Sequence, residues 1–279
     1  MLSWAGSAVL AAIAAAASVA LRRYMGLVVV GVTGGIACGK STFCRELAKG
    51  GAAVIDLDDI AHELQLPGTD VWTRILRVFA GSDPDKRMAL LDPDTGAIHR
   101  PALATIVFND PDKLRQLSAM MRVPVLKKLL KRIASCFLLQ GHSVVFIEAP
   151  LLFESGLFRI CDYVVAVDCD EADQIRYVCQ RGQCTEAEAK QKIASQMPPS
   201  EKVRRADVVV RNQTSIDALR REARSLTIPA WSAIVPTRAS VAVGLATFTA
   251  LLASFVIGDA FVSAQLVLLR SLKLIDGGQ

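Results

Sequence analysis

Aromatic side chains and histidines are scarce in this chain: three tyrosines, three tryptophans, ten phenylalanines and three histidines among 279 residues. No block of lysine and arginine carries interleaved aromatics, and the formal net charge of +5 is modest. The sequence therefore gives no argument for nucleic-acid binding. No C-x-x-C occurs, and the seven cysteines are an odd number. That count speaks against a disulfide scaffold or a zinc site and fits a reducing compartment. Internal repeats are absent.

What the chain has in excess is hydrophobic residues, 52% of the total, and they crowd the two ends. Leu2 to Leu21 is twenty residues without a charge, followed by Arg22-Arg23. Ala239 to Gly258 is another twenty, preceded by Arg238; after Asp259 the apolar run resumes to Leu269. About twenty apolar residues span a bilayer. The C-terminal run is expected to be a transmembrane helix. The Ala-rich N-terminal run fits a membrane span, an uncleaved signal anchor or a removed targeting segment. Basic residues flank the middle from inside, which predicts a membrane-anchored protein whose central region faces the cytosol; the sequence does not name the membrane, and a mitochondrial or an endoplasmic-reticulum membrane would each be compatible. The expected division is a hydrophobic segment over 1–24, a central domain over 25–228 and an anchor over 229–279, with the lipid bilayer as a partner.

Short, near-continuous apolar runs recur in the middle: Leu27–Thr33, Ala52–Asp56, Ser143–Glu148, Tyr163–Asp168 and Asp207–Arg211. Strands buried on both faces read this way, so the expectation is an α/β domain with a five-stranded parallel sheet covered by helices. The gap from Leu57 to His142 is long enough for a helical insertion. Helices are expected over Asp59–Leu66, Val71–Ala80, Arg100–Phe108 and Pro111–Leu139, with GSDPDKR and LDPDTG as breaking turns. Ligands of open α/β sheets sit beyond the carboxyl ends of the strands.

The first strand candidate runs into GVTGGIACGKST, which contains Gly34-x-x-x-x-Gly39-Lys40-Ser41, the phosphate-binding-loop spacing. Glycines let backbone N–H groups approach phosphate oxygens, and the following helix presents its N-terminal N–H groups to the same anion. Lys40 would reach the β- and γ-phosphates of a nucleoside triphosphate, and the Ser41 hydroxyl would ligate Mg²⁺. The guanine-selecting N-K-x-D and the D-x-x-G of GTPases occur nowhere. Asp56, Asp58 and Asp59 end the second strand candidate. In an extended segment Asp56 and Asp58 share a face, so either could orient and deprotonate an acceptor hydroxyl; alternatively the aspartates cap the next helix. Glu148, ending the third strand candidate, stands where a carboxylate supports Mg²⁺.

Taken in order, Val32-Thr33-Gly34-Gly35-Ile36-Ala37-Cys38-Gly39-Lys40-Ser41-Thr42, Val54-Ile55-Asp56-Leu57-Asp58, Ala61-His62-Glu63-Leu64, Gly96-Ala97-Ile98-His99-Arg100 and Pro150-Leu151-Leu152-Phe153-Glu154 resemble the dephospho-coenzyme A kinase family. Gln174, Arg181, Gln196, Glu201-Lys202, Ala206-Asp207 and Asn212 follow at family-like spacing, and the match covers about residues 25–226. The resemblance implies a three-layer P-loop kinase core, a helical acceptor-binding insertion at 59–141 and a lid at 173–203. It implies transfer of phosphate from ATP, with Mg²⁺, to the 3′-hydroxyl of dephospho-coenzyme A. It makes Asp58 the base, Lys40 and Arg181 the catalytic cations, and Asp58, His62 and Arg100 the acceptor-binding residues. Gly34 to Thr42 and Asn212 become the ATP site, and Ser41 and Glu148 the metal site. Two other functions stay open: kinase action on another small acceptor such as a nucleoside, and a membrane-tethered ATP-binding scaffold without turnover. Cys38 replaces the serine usual in the family. A thiol at a helix N-terminus is expected to be oxidation-sensitive, and its oxidation to block ATP binding.

Overall fold

Five parallel strands form the sheet, in the order β2-β3-β1-β4-β5: β1 Val28–Gly34, β2 Ala53–Asp56, β3 Val144–Glu148, β4 Tyr163–Asp168 and β5 Val208–Arg211. The computed structural model describes residues 26–108, 110–182, 184–212 and 215–226. Both hydrophobic ends lie outside the described residues. Among the described residues no helix is long and apolar enough to cross a membrane.

The central strand β1 is buried along its whole length. It pairs with β3 from Val28↔Val144 to Val32↔Glu148 and with β4 from Val30↔Tyr163 to Gly34↔Val167. Valine suits that position because its branched Cβ packs on a pleated surface. The parallel register brings the carboxyl ends of β1, β2 and β3 together. Asp56 lies opposite Glu148, and Glu148 opposite Val32, three residues before Gly35.

Helix α1 (Lys40–Lys49) follows β1. The insertion contains α2 (Leu57–Glu63), α3 (Asp70–Phe79), α4 (Pro84–Ala89), α5 (Arg100–Phe108) and α6 (Pro111–Leu138). It has its own core, made by Val71, Ile75, Leu76, Leu90, Ile98, Leu103 and Val107 among others. The 28-residue α6 is about 42 Å long at 1.5 Å per residue. Glu63 on α2 pairs with Lys128, at 2.6 Å, and with Arg132, both on α6. The segment GSDPDKR is not only a turn: Asp83 accepts from the N–H groups of Asp85 and Lys86, Pro84 opens α4, and the helix runs on to Ala89. Asp-Pro chemistry that suits a turn also suits a helix start.

After β4 come α7 (Glu171–Gly182), α8 (Glu186–Ala194) and α9 (Pro199–Arg205), then β5 and α10 (Ile216–Ser225). Helix α8 opens with a full capping box, Thr185 with Glu188. Helix α10 packs on α1, and Arg224 ties it to the buried carboxylate of Glu46.

Candidate active site

The loop between β1 and α1 is shaped by backbone that only particular residues accept. Gly34 has φ +148°, and a Cβ there would stand 2.0 Å from the carbonyl oxygen of Val167 on β4. Gly39 has φ +96°, with Leu219 and Asn212 crowding the space a Cβ would take. Ala37, at φ +60°, is the one non-glycine residue with positive φ among the described residues. No side chain caps α1, so its first N–H groups are available to an anion.

Lys40 is buried, and its Nζ donates to the carbonyls of Gly34 at 3.1 Å and Gly35 at 2.6 Å. Burial holds its ammonium below the usual lysine range, and the nearby charge of Lys202 adds to the effect. The Ser41 hydroxyl donates to Glu148 Oε1 at 2.7 Å. Glu148 is buried beside Asp56. Burial raises the Asp56 carboxyl above the ordinary aspartate range, and Glu148, Asp58 and Asp59 push it the same way. Thr42 is half-buried on the first turn of α1.

Asp56 and Asp58 do not share a face of an extended segment. The strand stops at Asp56, whose Oδ1 accepts from the Asp58 N–H at 2.8 Å and caps α2. The helix cap is thus Asp56, while Asp58 and Asp59 project exposed from the first turn. His62 lies four residues after Asp58, so both stand on one face of α2. Both are exposed, as is Arg100 at the start of α5.

Three contacts from distant elements brace the loop. Gln174, buried on α7, donates to the Ile36 carbonyl at 3.0 Å. Asn212, just past β5, donates to the Cys38 carbonyl at 3.2 Å. Cys169, following β4, donates its S–H to Cys38, with the sulfurs 2.8 Å apart. That hydrogen bond, helped by the Lys40 ammonium, holds the Cys38 thiol below its usual range despite burial. The same bond and burial push the Cys169 thiol up. Arg181 is exposed at the end of α7, seven residues beyond Gln174. That separation is almost two turns, about 10 Å along the same helix face.

Lys202 is fully buried on α9. Its Nζ donates to the Pro150 carbonyl at 2.7 Å and faces Glu154 at 3.1 Å. The Thr33 hydroxyl donates to the same Pro150 carbonyl, and Glu154 also accepts from the Met197 N–H at 3.0 Å. The Pro150–Glu154 segment thus joins β1 to the 173–203 region through a buried cation. Spacing places Lys202 and Gln174 in the motif set but gives neither a partner, because both contacts bridge distant stretches of chain.

The oxygen set at Ser41, Glu148 and Asp56 fits Mg²⁺, which takes one or two carboxylates and completes its shell with water and phosphate. Among the described residues no group of three or more His, Cys, Asp or Glu side chains could hold a metal by itself.

Comparisons with known proteins identify the family. The family model for dephospho-CoA kinase matches residues 28–218. The dephospho-CoA kinase of Symbiobacterium thermophilum is 38% identical over 205 residues, 74% of this chain and 80% of that protein. A dephospho-CoA kinase domain-containing protein of Danio rerio is 36% identical over 194 residues, 69% of this chain and 81% of its own length. Among solved structures, a Thermus thermophilus protein superposes with a TM-score of 0.60 at 29% identity, covering 71% of this chain and 95% of that one. The dephospho-CoA kinase from Campylobacter jejuni does so with a TM-score of 0.52 at 27% identity, covering 70% and 93%. With a family model spanning most of its length and the loop, strand ends and bracing contacts in place, the chain belongs to the dephospho-CoA kinase family.

Proposed function

We propose that the chain moves the γ-phosphoryl group of ATP to the 3′-hydroxyl of the ribose of dephospho-coenzyme A, giving coenzyme A and ADP. The observation that carries this reading is the buried Lys40 ammonium on the loop carbonyls, beside a Ser41 hydroxyl already directed at Glu148. ATP phosphates would take the loop N–H groups, and Lys40 would exchange its carbonyl partners for phosphate oxygens. Ser41 and Glu148 would hold Mg²⁺, which when bound neutralises charge on the transferring phosphoryl group.

Asp58 is the better base of the two aspartates. Asp56 spends an oxygen on capping α2, whereas among the described residues the exposed Asp58 carboxylate accepts no hydrogen bond. Asp58 is left to take the proton of the acceptor hydroxyl, with His62 on the same helix face and Arg100 on the insertion for the acceptor's charged groups. Arg181, on the same face of α7 as the loop-bracing Gln174, would swing toward the phosphates as the 173–203 segment closes.

The test is ADP release by the full-length chain with Mg·ATP and dephospho-coenzyme A, beside adenosine and AMP as acceptors. Turnover confined to dephospho-coenzyme A supports the reading; equal turnover with adenosine or AMP removes it.

The two hydrophobic ends lie outside the described residues. We propose that they anchor the kinase to a membrane with its catalytic domain in the cytosol, a reading supported by their length and flanking arginines. Release of the chain into the soluble fraction by alkaline carbonate would overturn it.

A further inference from the structure

Cys38 lies within the phosphate loop and Cys169 follows the end of β4, 131 residues away. Both are buried, and neither is in a disulfide. Their sulfurs stand 2.8 Å apart, about 0.8 Å from a disulfide bond length of roughly 2.0 Å. A thiol pair at that distance serves no step of phosphoryl transfer. The loop is braced at neighbouring points by Gln174 and Asn212, so the two walls need move little to join.

We infer that Cys38 and Cys169 form a reversible disulfide under peroxide, and that this cross-link switches off nucleotide binding. The inference rests on the phosphate-loop reading above. Of the two thiols Cys38 ionises the more readily, favoured by the S–H of Cys169 and the Lys40 ammonium, and its thiolate is the nucleophile. Its sulfur attacks one peroxide oxygen, the O–O bond breaks, and the departing hydroxide takes a proton to leave as water. The resulting Cys38 sulfenic acid is attacked by the Cys169 sulfur, whose proton goes to the leaving hydroxyl. One S–S bond forms, two thiols are oxidised, and one peroxide is reduced to two waters. The disulfide draws the loop toward β4 and removes an ionisable thiol from beside Lys40. Both changes alter the cradle that the phosphates need. By linkage, bound Mg·ATP protects the pair from oxidation.

The experiment treats the full-length chain with hydrogen peroxide, maps its peptides without reduction, and measures Mg·ATP affinity before and after and again with dithiothreitol. The expected result is a Cys38–Cys169 linked peptide, at least tenfold weaker ATP binding, and recovery on reduction. In Cys169→Ser the link is lost, and Cys38 stops at a sulfenic acid that dimedone traps. A map that links only Cys179 to Cys184, the other neighbouring thiols, overturns the inference. So does a Cys38–Cys169 link that leaves ATP affinity within twofold. A reduced protein that fails to bind Mg·ATP removes the phosphate-loop reading instead, and the peptide map still decides whether the pair is oxidised.

Discussion

Around the phosphate loop nearly every shaping group is buried and held by a partner, whereas the acceptor-side candidates of the insertion stand exposed. Lys40, Glu148, Gln174 and Lys202 are buried; Lys40 holds two carbonyls of its own loop, and the other three each reach a segment far away in sequence. Asp58, His62 and Arg100 are exposed. The insertion has a core of its own, and its long helix α6 also packs on β2 and β3. The difference teaches that binding energy and chemistry are separated here. The loop's geometry is preorganised by the fold, while in the proposed reading the acceptor side would be completed as substrate arrives and the 173–203 segment closes.

The sharpest way to break that contrast is to remove chemistry without touching the fold. Asp58→Asn is expected to lower kcat by about 10²–10⁴-fold, the usual worth of a general base. The melting temperature should stay unchanged, because the side chain is exposed. A fall in stability matching the lost activity would mean that Asp58 is structural. Lys40→Met comes next, at about 10²–10³-fold in kcat, the scale of one lost transition-state donor. Steady-state kinetics over a range of ATP concentrations separates this from a change confined to KM.

The braced side is expected to show itself in stability first. Lys202→Met strands the Glu154 carboxylate, but Glu154 is about a quarter exposed and can recover water. The cost should therefore fall below that of a fully buried pair, at about 1–3 kcal/mol, read by urea unfolding. Adding Glu154→Gln to Lys202→Met should cost less than the sum of the single changes; full additivity would mean the pair is not coupled. Gln174→Leu removes the donor to the Ile36 carbonyl, worth about 1 kcal/mol. The loss should appear as a roughly fivefold higher KM for ATP, with kcat little altered.

The sheet and the loop were legible in the sequence because both are written locally. Five apolar runs became five parallel strands within a residue or so of their expected bounds, and the Gly-Lys-Ser spacing marked the turn into α1. Local pattern failed where one residue type serves two purposes. An Asp-x-Asp reads as an extended face until the strand stops at its first member, as it does at Asp56. Asp83-Pro84 reads as a turn and begins α4. The partners of Gln174, Lys202 and Cys169 left no periodic trace, since each contact joins chain segments from 48 to 138 residues apart. Such contacts come from topology, which brings the β4–α7 and α9 regions beside the loop.

Asp56 and Asp58, two residues apart, carry the comparison down to its smallest effect. Asp56 is the braced member: it caps α2, and burial holds its folded-state pKa above the unfolded value. For a carboxyl shifted that way the charged form is disfavoured by folding. Its stabilising contribution is present below the ordinary aspartate pKa of about 3.9 and is lost as pH rises through the higher folded value. Asp56→Asn keeps a good helix cap and removes the charge. In EDTA and without nucleotide, it is expected to raise stability at pH 7.5 by less than about 1 kcal/mol, because the group is partly solvated, or a few degrees in Tm. The gain should shrink as pH falls, because the folded protein takes up the Asp56 proton more readily than the unfolded chain does. A thermal melt series from pH 4 to 8 checks the sign. A gain that grows toward low pH would show that Asp56 is instead held charged by the fold.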